Sequence, residues 1–297
     1  MDVSIIIVNY NTRDLTLNCI DSIVDKTTGI EFEIILVDNA STDGSYELFT
    51  QDGRIKYIYS QENFGFGKAN NLGIKESQGK YLFFLNSDTI LLNNAVKYFF
   101  DFCENSNEKI GALGAILIDQ NQNNIHSYGR FITPAYEIWD VICKYLRFLK
   151  KRKFINPPSV TQTTAVDYIT GADLFVPRSV YDELGGFDPA FFMYCEEVDW
   201  QFRMAKASYK RLIIVDPRII HLEGGSDPSA TRLWSFNRCY NLLKSRKQYL
   251  RKHYNGFFLP FYRFIYAMLW LPILFFVRKD TTDQKKSLLK YLFSLNK

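Results

Sequence analysis

Short apolar, β-branched runs alternate with stretches of helical periodicity over the first 118 residues of the chain. Such alternation is typical of βαβ units, and it predicts an α/β fold with a mostly parallel sheet flanked by helices. The predicted strands are residues 4–8, 33–37, 55–59, 81–85 and 111–118. The predicted helices are residues 14–26, 45–51, 67–77 and 93–105.

Three of these strands are followed directly by loops rich in Asn and Asp, at residues 9–11, 38–44 and 86–88. Ligands of open parallel sheets bind beyond the carboxyl ends of the strands, so we expect a ligand site at these loops. A further segment, 63–71, has glycines that let the backbone approach a ligand and amides that suit a base or a sugar. Turn chemistry explains each loop alone, but their coincidence at strand ends favours a site.

Residues 191–203, which read FFMYCEEVDWQFR, place three acids directly behind an aromatic run. Carboxylates this close repel one another when all are ionised, which indicates shifted pKa values or a bound cation. A helix beginning near Glu196 pairs Asp199 with Arg203 and leaves both glutamates at its positive end. A capped surface helix with solvated acids explains the segment equally well on its own. The predicted buried stripe of this helix comprises Val198, Phe202 and Ala205.

Two later segments add candidate elements. Residues 136–153 have an aromatic, basic helical pattern before Asn156-Pro157-Pro158, and both an acceptor-side element and a packing hairpin are consistent with it. A strand predicted over 213–220 brings His221 to its carboxyl end, where the histidine is either a satisfied structural residue or a ligand.

The net charge of +4 is unevenly distributed. No Asp or Glu occurs in residues 228–279, whereas ten Lys and Arg do, and the rest of the chain has 26 basic and 32 acidic residues. An acidic body does not suit nucleic-acid binding as a main role. A basic tail beside apolar sequence suits an anionic membrane surface.

The tail itself has two parts. Residues 241–253 have the pattern of a basic amphipathic helix, and residues 257–277 are nearly all apolar. The longest stretch without a charged residue there, 264–277, has 14 residues, which is short of the roughly 20 needed to span a bilayer. The sequence therefore predicts peripheral or monotopic membrane contact through residues 241–279, with a buried terminal helix as the alternative.

Compartment signals agree with a cytosolic setting. The five cysteines are widely spaced and include no Cys-x-x-Cys pair, so we expect reduced thiols and no zinc site. A predicted strand at 4–8 and Asp2 stand where a signal peptide would have its basic start, so export is not expected. The expected location is the cytosolic face of a bacterial-type membrane.

Seven short motifs occur in a specific order: VNYN (8–11), VDNASTDG (37–44), NFGFG (63–67), LNSD (85–88), TGA (170–172), GGFD (185–188) and EEVD (196–199). In this order and at these spacings the chain resembles the family 2 inverting glycosyltransferases of GT-A fold, in particular a rhamnosyltransferase-like branch. The resemblance runs over about residues 4–226. It implies a catalytic domain over 1–230, with a nucleotide-sugar half (1–118) and an acceptor half (119–230), before the tail at 231–297.

The resemblance also implies roles for single residues. Asp38 would bond the nucleobase of a nucleoside diphosphate sugar, and Asp88 would bind Mg²⁺ or Mn²⁺ on the diphosphate, with His221 contacting the metal or the diphosphate. Asn86 stands where the family's Asp-x-Asp element has its first acid, so we expect weak metal affinity without donor. The other donor-binding residues implied are Val8, Asn9, Tyr10, Asn11, Asn39, Asn63, Gly65, Phe66, Gly67, Asn70, Asn86, Ser87 and Gly171.

The glutamate pair aligns with the family's Glu-Asp element, which implies that Glu197 is the general base, with Glu196 and Asp199 as alternatives. The implied reaction moves a sugar from a deoxythymidine diphosphate rhamnose-like donor or a uridine diphosphate hexose to a glycan hydroxyl. A lipid-linked or cell-surface acceptor in polysaccharide biosynthesis for the cell envelope is expected. A catalytically silent nucleotide-sugar-binding scaffold is the alternative, whereas a nucleotidyltransferase would need a basic, glycine-rich loop that residues 8–13 lack.

Overall fold

The computed structural model describes residues 1–149, 160–222 and 236–254, together with residues 264, 265 and 268. It divides into two compact units. The first contains Met1–Phe131 and the described part of Asn156–Leu233. The second contains the described parts of Ile132–Ile155 and Trp234–Lys297.

Three strands of the first unit are followed by the polar loops of the predicted site, and the described part of this unit contains twelve strands in all. These strands are β1 (Val3–Asn9), β2 (Phe32–Asp38), β3 (Lys56–Tyr59), β4 (Tyr81–Asn86), β5 (Thr89–Leu91), β6 (Ile110–Ala115), β7 (Tyr128–Gly129), β8 (Thr164–Ala165), β9 (Tyr168–Ile169), β10 (Asp173–Pro177), β11 (Lys210–Ile214) and β12 (Ile219–His221). The main sheet has eight strands in the order β3-β2-β1-β4-β10-β6-β11-β8, and β5–β12 and β7–β9 form two small sheets.

Most neighbours in the main sheet are parallel. The β3-β2-β1-β4 run and the β6–β11 pair are parallel, whereas β10 runs antiparallel to both β4 and β6. Because β10 is inverted, its first residue, Asp173, lies at the same edge of the sheet as the last residue of β4. The antiparallel strand therefore brings a later part of the chain to the edge where the polar loops after β1, β2 and β4 lie.

Helices cover both faces of this sheet. They are α1 (Arg13–Lys26), α2 (Ser45–Phe49), α3 (Phe66–Glu76), α4 (Ala95–Asn105), α6 (Arg178–Leu184) and α7 (Glu196–Lys206), and the second unit contains α5 (Pro134–Leu149) and α8 (Phe236–His253). Ile5 and Ile7 of β1 belong to the core beneath α1 and α4, and Ile6 belongs to the core beneath α3 and α7. Burial on both faces explains why the strands read as continuous apolar runs.

The five strands and four helices predicted for the first 118 residues are confirmed, with ends that differ by a few residues. The single strand predicted over 213–220 is wrong. The chain leaves β11 after Ile214 and begins β12 at Ile219, in a different sheet. Pro217 lies between them, and a proline lacks the backbone N–H that a continuing ladder needs.

The predicted buried stripe of the acidic helix is also wrong in part. Val198 is buried, but Phe202 and Ala205 are only half-buried. Trp200 and Met204 instead turn towards the sheet, and the Trp200 ring packs edge-on against Phe84, with centroids 5.6 Å apart. The large indole, one turn before Met204, therefore sets the rotation of α7.

In the second unit, the described secondary structure includes the helices α5 and α8. Arg246 of α8 forms an ion pair with the buried Glu137 of α5 at 3.1 Å. The predicted helical patterns at 136–153 and 241–253 are confirmed as helices over the residues described. Residues 150–153 and nearly all of the apolar segment 257–277 lie outside the described residues. Among those described, no helix combines the length and apolarity required to cross a membrane.

Candidate active site

Asn9 closes β1 and is completely buried. Its amide nitrogen donates to the hydroxyls of Ser41 (3.0 Å) and Ser45 (2.9 Å) in the loop after β2. Its amide oxygen accepts from the hydroxyls of Thr12 (2.8 Å) and Thr16 (3.0 Å). The side chain thus braces the first two loops against each other. The donor contact expected of Asn9 stays a prediction.

The residues on either side of Asn9 differ in their exposure and contacts. Val8 is half-buried, whereas Tyr10 is exposed at 42% and offers an aromatic ring at this edge of the sheet. Asn11 has a left-handed backbone (φ 54°) and accepts from the backbone N–H of Thr42 at 2.7 Å. The first two loops are therefore connected at two points.

Asp38 closes β2, and its carboxylate is fully buried and held from two sides. Oδ1 accepts from the backbone N–H of Ser41, and Oδ2 accepts from the hydroxyl of Tyr57, both at 2.8 Å. Next to it, Asn39 donates to Oδ1 of Asn63 at 2.9 Å. The structure thus brings together the residues from β2 and from segment 63–67 that were predicted to bind the donor.

The loop with the NFGFG motif is clamped to the segment before α7. The backbone N–H of Phe66 donates to the carbonyl of Phe192 at 3.0 Å. Gly65 has φ +79°, and a Cβ at this position would lie 1.9 Å from the Phe192 carbonyl oxygen. Only glycine meets both requirements. At the start of α3, Asn70 donates to the carbonyl of Phe66 at 3.0 Å and so fixes the first turn.

The same clamp sets the start of α3 against the start of α7. A Cβ placed on Gly67 would lie 3.4 Å from Cβ of Glu196, and one placed on Gly171 would lie 3.9 Å from Cβ of Glu197. The TGA motif, the NFGFG motif and the acidic helix therefore meet in space. Tyr194 and Cys195, directly before α7, both have left-handed backbones (φ 70° and 68°). Such adjacent strained residues are typical of functional sites.

The two glutamates differ in environment. Glu196 is 3% exposed, and its Oε2 has no hydrogen-bond partner among the described residues, whereas Glu197 is half-buried. Burial raises the pKa of Glu196, and the neighbouring charge of Glu197 raises it further. Burial also raises the pKa of Glu197, against the opposing effect of backbone hydrogen bonds. One carboxylate and one neutral carboxyl is therefore the favoured state of the pair.

Asp199 has a different function from the glutamates. It is fully buried and forms the predicted ion pair with Arg203, at 3.0 Å. Arg203 also donates to the carbonyls of Leu184 and Gly186, so the pair ties α7 to the GGFD turn. An acid committed in this way is a poor candidate for proton transfer, and the general base expected at Glu197, with Glu196 as the alternative, stays a prediction.

A second group of residues lies beyond β4. Oδ1 of Asp88 is 3.2 Å from Nε2 of His221, because β5 pairs with β12 and sets Thr89 opposite His221. The amide nitrogen of Asn86 lies 3.4 Å from the same imidazole nitrogen. Ser87 contacts Thr12 through its hydroxyl at 3.0 Å. The LNSD loop is thereby tied both to β12 and to the loop after β1.

The two groups meet at the TGA motif. The backbone N–H of Asn86 donates to the carbonyl of Ala172 at 3.0 Å, and Gly171 directly before it lies against Phe66 and Glu197. The LNSD loop and the glutamate pair are therefore separated by one short backbone segment at a single edge of the sheet. This is where a ligand with two reactive ends could contact both.

The Asp88 and His221 side chains fit a divalent cation. Two ligands of an octahedral ion with bonds of 2.0–2.1 Å lie about 3 Å apart, which agrees with the spacing of this pair. In the described part of the chain there is no group of three or more His, Cys, Asp or Glu that could hold a metal. The described residues therefore offer a cation one carboxylate and one imidazole, and its other ligands would have to come from substrate and water.

The contacts of two residues in the site could not be predicted from the sequence. Tyr57 bonds Asp38, and Gln201 bonds both the N–H and the carbonyl of Ile169 through its amide (2.8 and 2.7 Å). A tyrosine in the edge strand β3, which reads KYIY, is a weak signal for a hydroxyl with a buried partner. Gln201 gave no such signal, because its burial depends on the rotation of α7.

The family model for "Glycosyl transferase family 2" matches residues 4–169, and the chain belongs to this family. Rhamnosyltransferase WbbL of Escherichia coli is 25% identical over 215 residues, which are 70% of this chain and 78% of that protein. An uncharacterized glycosyltransferase of Rickettsia bellii is 38% identical over 108 residues, 35% of this chain and 15% of that protein. Some of these relatives are thus much longer than the part that matches.

Solved structures confirm the GT-A fold. The crystal structure of GalNAc-T7 with UDP, GalNAc and Mn²⁺ superimposes with a TM-score of 0.61 and 16% identity, and the match covers 98% of this chain and 54% of that chain. At this identity the likeness shows the fold alone. Together with the family match, it identifies the chain as a family 2 glycosyltransferase with a GT-A-like α/β fold.

Proposed function

We propose that this chain is an inverting glycosyltransferase that transfers a sugar from a nucleoside diphosphate sugar to a hydroxyl of a glycan acceptor. The observation that supports this most is the convergence, at one edge of the sheet, of the Asp88–His221 pair and the Glu196–Glu197 pair around the TGA motif. One end suits a diphosphate and the other suits an acceptor hydroxyl. The donor we propose is a deoxythymidine diphosphate rhamnose-like sugar or a uridine diphosphate hexose.

In the proposed reaction Glu197 acts on the acceptor. Its carboxylate takes the proton from the acceptor hydroxyl while that oxygen forms a bond to the anomeric carbon. The bond from the anomeric carbon to the diphosphate oxygen breaks, and its electron pair leaves with the nucleoside diphosphate. Attack comes from the face opposite the leaving group, so the anomeric configuration inverts. Burial makes Glu197 a stronger base than an ordinary glutamate.

At the other end, Asp88 and His221 would hold Mg²⁺ or Mn²⁺, which when bound supplies charge neutralisation to the diphosphate. Asn86 stands beside them as a neutral amide. With one carboxylate in the set, the protein alone binds the cation weakly, so cation and donor are expected to bind together.

The acceptor we propose is a lipid-linked or cell-surface glycan, because the second unit has features that suit a membrane surface. Helix α8 contains six Lys and Arg and no acid. Arg238, Lys244 and Lys252 of α8 are exposed, and Trp139 of α5 is 61% exposed. Basic helices with nearby exposed aromatic residues suit the anionic cytosolic leaflet, where we place the enzyme.

A vesicle assay tests the membrane proposal. The full chain should sediment with phosphatidylglycerol vesicles and not with phosphatidylcholine vesicles, and binding should fall as salt rises. Replacing Arg238, Lys244 and Lys252 by Gln should weaken this binding. Replacing three exposed lysines of the first unit, Lys75, Lys109 and Lys210, should not. An equal loss of vesicle binding in both triple variants would contradict membrane contact through α8.

The reaction is tested by release of nucleoside diphosphate from a panel of nucleotide sugars, with and without a membrane-glycan extract. We expect acceptor-dependent release that Glu197→Gln lowers by at least about 1,000-fold. The matched control is Asp182→Asn, an exposed acid on α6, which should keep the wild-type rate. Binding of donor without any release by the wild-type chain would favour the scaffold alternative instead.

A further inference from the structure

Phe192 belongs to the aromatic run directly before α7, and its side chain is exposed although its backbone is fixed. The residue is 44% exposed, whereas its neighbour Phe191 is fully buried. The Phe192 carbonyl accepts from the backbone N–H of Phe66 at 3.0 Å. Between Phe192 and α7, Tyr194 and Cys195 both have left-handed backbones. A buried neighbour, a backbone hydrogen bond and a constrained turn therefore hold the backbone that presents this ring.

The ring of Phe192 lies on the NFGFG loop. Its Cδ2 atom is 2.9 Å from the position that a Cβ on Gly65 would take. Because Gly65 has no side chain, the aromatic ring rests directly on the glycine backbone. The loop therefore covers one side of the ring, and the exposed surface of Phe192 lies on its remaining sides.

The same loop connects Phe192 to the acidic helix. The Phe66 ring has its Cε1 atom 3.1 Å from the position that a Cβ on Gly171 would take, and Cβ of Glu197 lies 3.9 Å from that position. Phe66 thus contacts Phe192 through its backbone and the Gly171 backbone, next to Glu197, through its ring. Phe192 and Glu197 therefore lie on either side of Phe66, a separation that a glycan can span.

The chemistry of this side chain suits a sugar. The face of an aromatic ring is electron-rich, whereas the C–H groups on the face of a pyranose carry a small positive charge and present apolar surface. Among the exposed Phe, Tyr and Trp side chains in the described part of the first unit, Phe192 is the one in the segment that leads into α7. The others are Tyr10, Tyr46, Tyr59 and Tyr98.

We propose that Phe192 binds the acceptor by stacking on the C–H face of a sugar ring in the acceptor glycan. This inference rests on the proposed function, in which Glu197 takes the proton from the acceptor hydroxyl. The fixed backbone holds the aromatic ring ready for the sugar, so little order has to be gained on binding. Phe192 therefore contributes to the affinity for the acceptor and not to the affinity for the donor.

The test is steady-state kinetics of the full chain with the preferred nucleotide sugar and the membrane-glycan extract. Phe192→Ala and Phe192→Leu should each raise the amount of extract needed for half-maximal release of nucleoside diphosphate at least about fivefold, because each removes the flat ring. The KM for the donor should stay within about twofold of wild type, because the backbone hydrogen bond to Phe66 is kept. Phe192→Tyr keeps the ring and should keep both wild-type values.

The matched control is Tyr98→Ala, which should keep all wild-type values. Tyr98 is 43% exposed and lies on α4, which covers the opposite face of the sheet from α7. Thermal unfolding checks the fold of each variant, and Phe192→Leu, which keeps an apolar side chain against Gly65, decides the result if Phe192→Ala melts lower.

Two results would overturn the inference. One is a wild-type requirement for extract in Phe192→Leu, and the other is a rise in the donor KM as large as the rise in the requirement for extract. Failure of the wild-type chain to release nucleoside diphosphate in response to the extract would instead overturn the proposed function itself.

Discussion

The imidazole Nε2 of His221, the last residue of β12, lies 3.2 Å from Oδ1 of Asp88, which directly precedes β5, and these two strands form a sheet apart from the main one. Both side chains are largely buried, and Nδ1 of His221 has no hydrogen-bond partner among the described residues. The two groups therefore face one point, where we propose that the diphosphate of the donor binds.

Loss of either group should disable this end of the site. We expect Asp88→Asn and His221→Ala each to lower nucleoside diphosphate release by about 100-fold or more, because each removes electrostatic stabilisation of the leaving group. Rates measured over a Mn²⁺ titration check this. His126→Ala, which replaces an exposed histidine, should keep the wild-type rate and metal dependence. A wild-type metal dependence in Asp88→Asn would contradict the assignment.

The pH profile of the reaction should report the raised pKa of Glu197. The base must be ionised, so the rate falls as pH drops through its pKa, and this midpoint should lie above the ordinary glutamate value of about 4.3. Glu196→Gln should keep the midpoint, because Glu196 is the neutral member of the pair when Glu197 ionises. The check is kcat/KM from pH 4 to 9. A midpoint at the ordinary value would show that Glu197 is not desolvated.

Glu196 should make stability depend on pH in a defined direction. Its pKa is raised in the folded state, so the unfolded chain ionises first and the folded chain loses stability as pH rises above about 4.3. Glu196→Gln removes this loss and should raise the free energy of unfolding by about 1 to 3 kcal/mol at pH 8, with little change at pH 4. Urea unfolding at both pH values measures it. A variant less stable than wild type at pH 8 would contradict an energetic cost of ionising the buried Glu196 carboxyl.

The clamp between the NFGFG loop and α7 should depend on Gly65. Gly65→Ala places a methyl group against the Phe192 carbonyl at a left-handed backbone, and we expect it to cost at least about 1 to 3 kcal/mol and to weaken donor binding. Gly53→Ala is the control, because no atom lies within 4 Å of the added methyl group. Melting temperatures and KM for donor measure both effects. Equal melting temperatures for the two variants would contradict the clamp.

Much of the fold could be predicted from the sequence because the strands are buried on both faces. Runs such as residues 5–8 and 81–85 are continuously apolar, and each is followed by polar, turn-forming residues. The break between β11 and β12 was not predicted because residues 213–220 are apolar at both ends, with only Asp216-Pro217-Arg218 to mark the interruption. Which strand β11 pairs with, and which strand β12 pairs with, depends on residues far away in the sequence, and a local pattern carries no information about them.

The site could be predicted in part for a similar reason. Loops at strand ends identified Asp38 and Asp88 as candidates, since parallel strands bring their carboxyl ends to one edge. The contacts that arrange these residues could not be predicted. Tyr57 reaches Asp38 across neighbouring strands, and Trp200 sets the rotation of α7 that buries Glu196 and leaves Glu197 half-buried. Such contacts follow from packing, which is decided by the whole core.

The most direct test of the account is a crystal structure of the chain with Mn²⁺ and an unreactive 2-fluoro analogue of the preferred nucleotide sugar. The account predicts the diphosphate at Asp88 and His221, with the Glu197 carboxylate on the opposite face of the anomeric carbon and room for an acceptor hydroxyl between them. A diphosphate bound away from Asp88, or a Glu197 carboxylate on the same face as the leaving group, would contradict it.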